Sequence, residues 1–186
     1  YLRTILKALS GPGTGAVTCL YHGVAAGGWA SRLTALGIDW HFLPNVLVGL
    51  RTDLAKPCMG STIALTRDTL ERIGGFKAFA DKLADDYEIG RAVRGLGLGV
   101  VVPDMVVGHS CTERTLGETF RHELRWARTV RLIDPAGHAG SVVTHPVPFA
   151  LGAVLLDNGG VVSLMLLGLV LACRASVQVQ VQQVAG

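Results

Sequence analysis

Apolar residues at positions 2, 5, 6 and 9 recur at the spacing of one helical face, so the chain opens within an amphipathic helix. Gly11-Pro12-Gly13-Thr14-Gly15 then breaks the backbone, and residues 16–21 read as a short buried strand. The glycine-rich stretch is a plain connector. A phosphate-binding loop follows a strand and opens a helix, and this one does the reverse and lacks the Lys-Ser/Thr pair. Residues 27–50 are mixed, with Trp29, Leu33, Leu36 and Trp40 at helical spacing, then Pro44 and the apolar run Val46-Leu47-Val48. Residues 61–66 predict a strand, and 68–73 a short helix closed by Gly74-Gly75, where glycine can adopt the left-handed cap. A helix over 85–94 has its acids first and Arg91 and Arg94 last, the order that suits the helix dipole. The β-branched runs at 100–102 and 105–107 flank Pro103-Asp104 and read as strands. Over 116–132, Leu116, Phe120, Leu124 and Ala127 form one apolar stripe with arginines on the other face. Strands alternating with helices indicate an α/β domain.

The pattern changes at Val142. From there to Cys173 the chain is almost wholly apolar, interrupted by His145-Pro146, Pro148 and Asp157-Asn158-Gly159-Gly160. One helix over 147–173 would reach about 40 Å at roughly 1.5 Å per residue, enough to cross about 30 Å of hydrocarbon. Asp157 in mid-span would be costly, so a re-entrant or interfacial first half followed by a spanning second half is the alternative. The Val and Gln alternation of the last residues carries no physical reading. These patterns divide the chain into a catalytic-domain portion (1–141), a membrane-associated segment (142–173) and a tail (174–186).

Composition supports the membrane reading. With 49% hydrophobic residues and a mean hydropathy of +0.42, the chain is too apolar to be wholly soluble. A net charge of +3 gives no reason to expect a nucleic-acid partner. Arg114, Arg121, Arg125, Arg128 and Arg131 crowd ahead of the apolar segment, as in a cytoplasmic juxtamembrane stretch. Cys19, Cys58, Cys111 and Cys173 are widely spaced and read as reduced thiols of a cytosolic domain. His22, His41, His109, His138 and His145 lack ligand spacing and read as structural or surface residues. His109 is the strongest outsider for an active site, and His145-Pro146 marks the membrane entry. The chain also starts mid-helix without an initiator Met, and is expected to be a fragment.

Two short strings carry candidate chemistry: Asp85-Asp86-Tyr87, and His122-Glu123-Leu124-Arg125-Trp126 downstream. Adjacent acids at a helix start are commonly dipole-stabilising charges. A positioned carboxylate is also a suitable general base for a hydroxyl attacking an anomeric carbon. A guanidinium can grip the oxygens of a departing diphosphate in a bidentate way. Trp126 can pack on a sugar ring or brace an acceptor site, although a tryptophan on such a helix is more commonly an interfacial anchor or core filler.

In combination these strings resemble the bacterial ceramide glucosyltransferase family (family 21, family 2-like), and most of all its relative in hopanoid biosynthesis. The resemblance runs from about residue 16 to 148. Asp86 falls on the family's third aspartate and His122 to Trp126 on its terminal (Q/R)xxRW motif. His122 departs from that motif's first position, whereas Arg125 and Trp126 match. Cys58-Met59-Gly60-Ser61-Thr62, followed by Arg67-Asp68 and Gly74-Gly75-Phe76, resembles the segment that helps line the donor and acceptor pocket. The resemblance implies a partial GT-A-like domain on the cytoplasmic face of a bacterial inner membrane, followed by one or more membrane helices. It further implies inverting transfer from a UDP-sugar to a lipid hydroxyl of a ceramide or hopanoid. Asp86 would be the catalytic base. Asp85, Cys58, Gly60, Ser61, His122, Arg125 and Trp126 would contact donor or acceptor, with Asp86 and Arg125 facing one cleft. The helix bearing Arg125 would lie near the bilayer. The family's Asp-x-Asp motif, which holds Mg²⁺ or Mn²⁺ on the donor diphosphate, has no counterpart in this sequence. No metal is therefore expected on this chain, which alone is expected to be inactive. The alternative is a non-catalytic membrane-associated remnant whose arginines bind anionic lipid.

Overall fold

The computed structural model describes residues 1–185, with side chains undescribed at 181, 182, 184 and 185, and shows a mixed α/β fold that is mostly helical. Helix α1 (Leu2–Leu9) buries Ile5 against β1 (Thr14–Thr18), where Ala16, Val17 and Thr18 are fully buried. The expected strand over 16–21 is two strands. β2 (Leu20–Ala25) starts one residue beyond β1, and the two join different sheets. Next comes a helical run of α2 (Gly28–Gly37), a π-helical turn (Ile38–Phe42) and α3 (Leu43–Arg51), which resolves the mixed stretch read at 27–50. Gly23 permits this run to sit close on β2: a Cβ there would lie 2.5 Å from Ala35 Cα.

β3 (Ile63–Leu65) is shorter than expected. It leads to α4 (Arg67–Arg72), capped by Thr66, whose hydroxyl accepts from the Thr69 amide at 3.1 Å. α5 (Asp85–Gly95), β4 (Gly99–Val101) and β5 (Val106–Cys111) follow. β1 is central in one sheet, antiparallel to β3 and parallel to β4; β2 pairs in parallel with β5, Leu20 opposite Val106 through to Ala25 opposite Cys111. α6 (Leu116–Ile133) begins at a capping arrangement. Thr115 Oγ1 accepts from the Glu118 amide at 3.2 Å, and Glu118 Oε2 accepts from the Arg114 amide at 2.7 Å.

The C-terminal region is a helical hairpin rather than one helix over 147–173. α7 (Pro135–Gly140), a 3₁₀ turn (Ser141–Thr144) and α8 (Pro146–Leu156) lead to α9 (Val161–Ala185). The break falls at Asn158 and Gly159, both at positive φ, with the Gly159 amide donating to the Val154 carbonyl at 2.9 Å. The boundary drawn at 174 has no break in the structure. α9 continues through the Val and Gln alternation, which holds no Gly or Pro to stop a helix. Among the described residues two helical runs are long and apolar enough to cross a membrane, Gly28–Arg51 and Val161–Gln180; a third candidate is the bent pair Pro135–Thr144 and Pro146–Leu156.

Arg174 of α9 ties these parts together. Its Nη1 donates to the Trp40 carbonyl at 2.7 Å and its Nη2 to the Thr144 carbonyl at 2.6 Å. In each case the residue four positions on is a proline, Pro44 or Pro148, with no N–H for that carbonyl. The guanidinium supplies the missing donors, and His41 and His145 stack beside it with centroids 4.1 Å apart. Arg174→Leu is expected to lower stability by about 2 kcal/mol in thermal unfolding in detergent, since bonds to a charged donor are lost and two carbonyls are freed. Arg174→Lys should recover only part of this, because an ammonium lacks the planar fork.

Candidate active site

The acidic string lies at the start of α5, where Asp86 is half-buried and Asp85 exposed. Asp86 Oδ2 accepts from the Gly60 amide at 3.0 Å and Oδ1 from the Tyr87 amide at 2.7 Å, while Asp85 Oδ1 accepts from the Asp86 amide at 2.9 Å. The Gly60 end is itself anchored. Thr18 Oγ1 donates to the Met59 carbonyl at 3.0 Å and accepts from the Met59 amide at 2.7 Å, fixing this loop to buried β1. A side chain at residue 60 would crowd Asp86, since its Cβ would lie 3.2 Å from Oδ2. Gly60 and Ser61 are exposed, and the Ser61 hydroxyl lies 3.4 Å from the Cys19 carbonyl. The structure thus brings Asp85, Asp86, Gly60 and Ser61 to one open rim.

Cys58 does not share that opening. It is 5% exposed, packed against Gly90, and burial followed by the charge of Asp86 pushes its thiol up to about 11. It lies buried beneath the rim, next to Met59 and Gly60.

The second group lies on α6. His122, Arg121 and Arg125 line an open depression of about 360 Å³ together with Thr112, Glu113 and Glu118. His122 Nδ1 pairs with Glu113 Oε1 at 2.7 Å, and both side chains are largely buried. Glu113 Oε2 and His122 Nε2 are buried without a partner among the described residues. Sequence reasoning missed Glu113. It follows β5 and meets His122 only after the helix has turned back, so no local periodicity marks it.

Trp126, one turn beyond His122 on the same side of α6, is half-buried against the core. Its ring meets Phe42 at 5.5 Å and His122 at 5.2 Å; Phe42 stacks on Tyr21 at 4.7 Å, and Tyr21 meets His109 at 5.2 Å. Trp126 belongs to the cluster that holds Tyr21, Ile38, Leu43 and Met59. Its packed face braces α6 against the domain, and the rest of the ring is partly exposed. The Tyr21 phenol is held above its ordinary range by burial, then by the charges of Asp86, Cys111 and Glu123. Acidic rim and arginine depression are therefore joined through an aromatic row.

Two cavities lie beside them. The depression around Arg125 lacks Asp86, and a neighbouring cavity of about 380 Å³ is lined by Tyr87 and Asp134, beside 54–57, without Arg125. Neither of these two cavities brings Asp86 and Arg125 together. Among the described residues no group of three or more His, Cys, Asp or Glu is placed to hold a metal ion.

The family model for glycosyl transferase family 21 matches residues 1–186, the whole span that carries these motifs. The chain belongs to glycosyl transferase family 21. This is the family of the ceramide glucosyltransferases, and membership assigns sugar transfer as its chemistry. No curated protein and no solved structure matches the chain.

Burial alone would raise the Glu113 carboxyl, but bonds from its own amide and from His122, with the His122 charge, outweigh it and leave it below the usual carboxylate range. A depressed folded-state pKa contributes stability that is present above the ordinary value of 4.5 and lost as pH falls through the lower folded value. Glu113→Gln is accordingly expected to flatten the acid limb of the stability profile below that pH in urea unfolding. Superimposable acid limbs would show that this ionisation contributes nothing.

Proposed function

We propose that this chain is the C-terminal part of an inverting glycosyltransferase with a GT-A-like domain, which moves a sugar from a UDP-sugar to the hydroxyl of a membrane lipid. The observation that carries the reading is the fixed carboxylate of Asp86. It is held by two backbone amides on an open rim, next to Met59 of the buried cluster against which Trp126 of the Arg125 helix packs. Asp86 accepts the acceptor proton as the hydroxyl attacks the anomeric carbon and the nucleoside diphosphate leaves. Gly60 and Tyr87 orient the carboxylate, so that one bearing is maintained through the attack. Arg125, with Arg121 beside it, takes up oxygens of the diphosphate, while Trp126 and His122 hold the helix in place.

The two groups are completed into one cleft by the family's N-terminal half. That half would also carry the Asp-x-Asp motif, whose carboxylates would hold Mg²⁺ or Mn²⁺ and supply positive charge to the departing diphosphate. The acceptor is a ceramide or a hopanoid polyol. The site faces the cytoplasm from a bacterial inner membrane, with α9 as the anchor. The apolarity of α9 and the arginines of α6 support that placement.

In a chain that includes the Asp-x-Asp half, Asp86→Asn is expected to reduce transfer from radiolabelled UDP-sugar to a lipid extract by about 10²-fold or more. Turnover near that of the parent would remove Asp86 from the role of base. Mass spectrometry of lipids from cells with and without the intact gene identifies the acceptor: loss of a glycosylated hopanoid assigns the hopanoid, and loss of a glycosylated ceramide assigns the ceramide.

A further inference from the structure

Helices α2 and α6 lie side by side. Thr34 Oγ1 and Thr119 Oγ1 are 3.2 Å apart, Thr119 Oγ1 is 3.5 Å from the Ala30 carbonyl, and Gly37 faces Glu123. Behind this seam Ser31, Ala35 and Ile38 of α2 and the adjoining turn are buried in the domain, and Trp126 of α6, half-buried, packs against the same core. In front of it both expose large apolar side chains. Trp29, Leu33, Leu36 and Trp40 follow one another at the spacing of a single helical face, as do Leu116, Phe120 and Leu124, and all seven are between 36% and 67% exposed. At about 100° per residue, each stripe sits one step outward from that helix's seam residues, so the two stripes flank the seam on the same outer side.

We propose that this outer face of α2 and α6 is seated in the plane of an anionic lipid leaflet, with its tryptophans and leucines below the headgroups. Three observations select this occupant. Exposed arginines border the face on both edges: Arg32 on α2, and Arg121, Arg128 and Arg131 on α6. Apolar side chains edged by cationic ones, with indoles among them, match the layered chemistry of a membrane interface. The face is also continuous with a candidate spanning helix, because Arg174 of α9 holds the backbone of Trp40. Although the run Gly28–Arg51 has the length and apolarity of a span, it lies in the interface and does not cross, because its opposite face is committed to the protein core. The inference does not depend on the catalytic reading, since it concerns where the domain rests and not what Asp86 does.

The test uses the full chain with Cys173→Ser, which leaves the buried Cys19, Cys58 and Cys111 as the remaining native cysteines. Leu33→Cys, Phe120→Cys and, as a reference, Lys77→Cys are each labelled with an environment-sensitive nitrobenzoxadiazole. The proteins are reconstituted into vesicles of phosphatidylcholine with a minority of phosphatidylglycerol. Labels at 33 and 120 are expected to be quenched several-fold more by doxyl-labelled lipid than the label at 77, and to be shielded from aqueous iodide. Iodide quenching equal to that at 77 would overturn the proposal. Shielding from iodide without doxyl quenching would mean that protein covers the face, and would also overturn it. Doxyl quenching at 120 should weaken when phosphatidylglycerol is omitted; equal quenching without it would overturn the assignment to anionic lipid.

Discussion

Phe42 sits between Tyr21 and Trp126, and these two ring contacts hold the β2 side of the domain to α6. Aromatic pairs of this kind contribute about 0.5–1.5 kcal/mol each beyond the area they bury. Their value here is chiefly positional. Tyr21 shares a buried cluster with Met59, whose neighbour Gly60 holds Asp86, and Trp126 is one residue from Arg125, so the row sets the acidic rim and the arginine depression in one frame. Phe42 reaches this place from a π-helical turn between α2 and α3, where the helix shifts register just before Pro44. The same proline frees the Trp40 carbonyl for Arg174. One local irregularity thus serves both the site and the attachment of α9.

The helices over 85–95 and 116–133 were legible in the sequence because charge order, caps and periodicity agree there. The acids of α5 and the Thr115 and Glu118 pair are local signals, and local signals survive without the fold. The division of one apolar run into β1 and β2 was not legible, since pairing partners 40 to 90 residues away decide which sheet each half enters. Arg174 is a similar case. It reads as a lone charge in an apolar helix until two prolines far upstream leave it two carbonyls to satisfy.

For the candidate site, Asp86 and Arg125 could be named from their strings, whereas their relation could not. Gly60 gained its meaning from a backbone amide that lies 3.0 Å from Asp86 Oδ2. Cys58 and Trp126 are next to site residues in sequence but point into the interior, so adjacency in the chain overstated their access. Glu113 shows the reverse: an unremarked acid becomes the fixed partner of His122 once β5 and α6 fold back on each other. The apolar stripe of α6 was plain in the sequence, yet only the packing shows that it turns outward while Thr119, His122 and Trp126 turn in.

The account rests on Phe42 coupling the sheet to the arginine helix, and a double-mutant cycle of Phe42→Leu and Trp126→Leu, followed by urea unfolding, measures that coupling directly. An interaction energy of about 0.5–1.5 kcal/mol is the predicted result. Losses that add to within about 0.3 kcal/mol would mean that the two rings act independently, and would contradict a shared frame for Asp86 and Arg125.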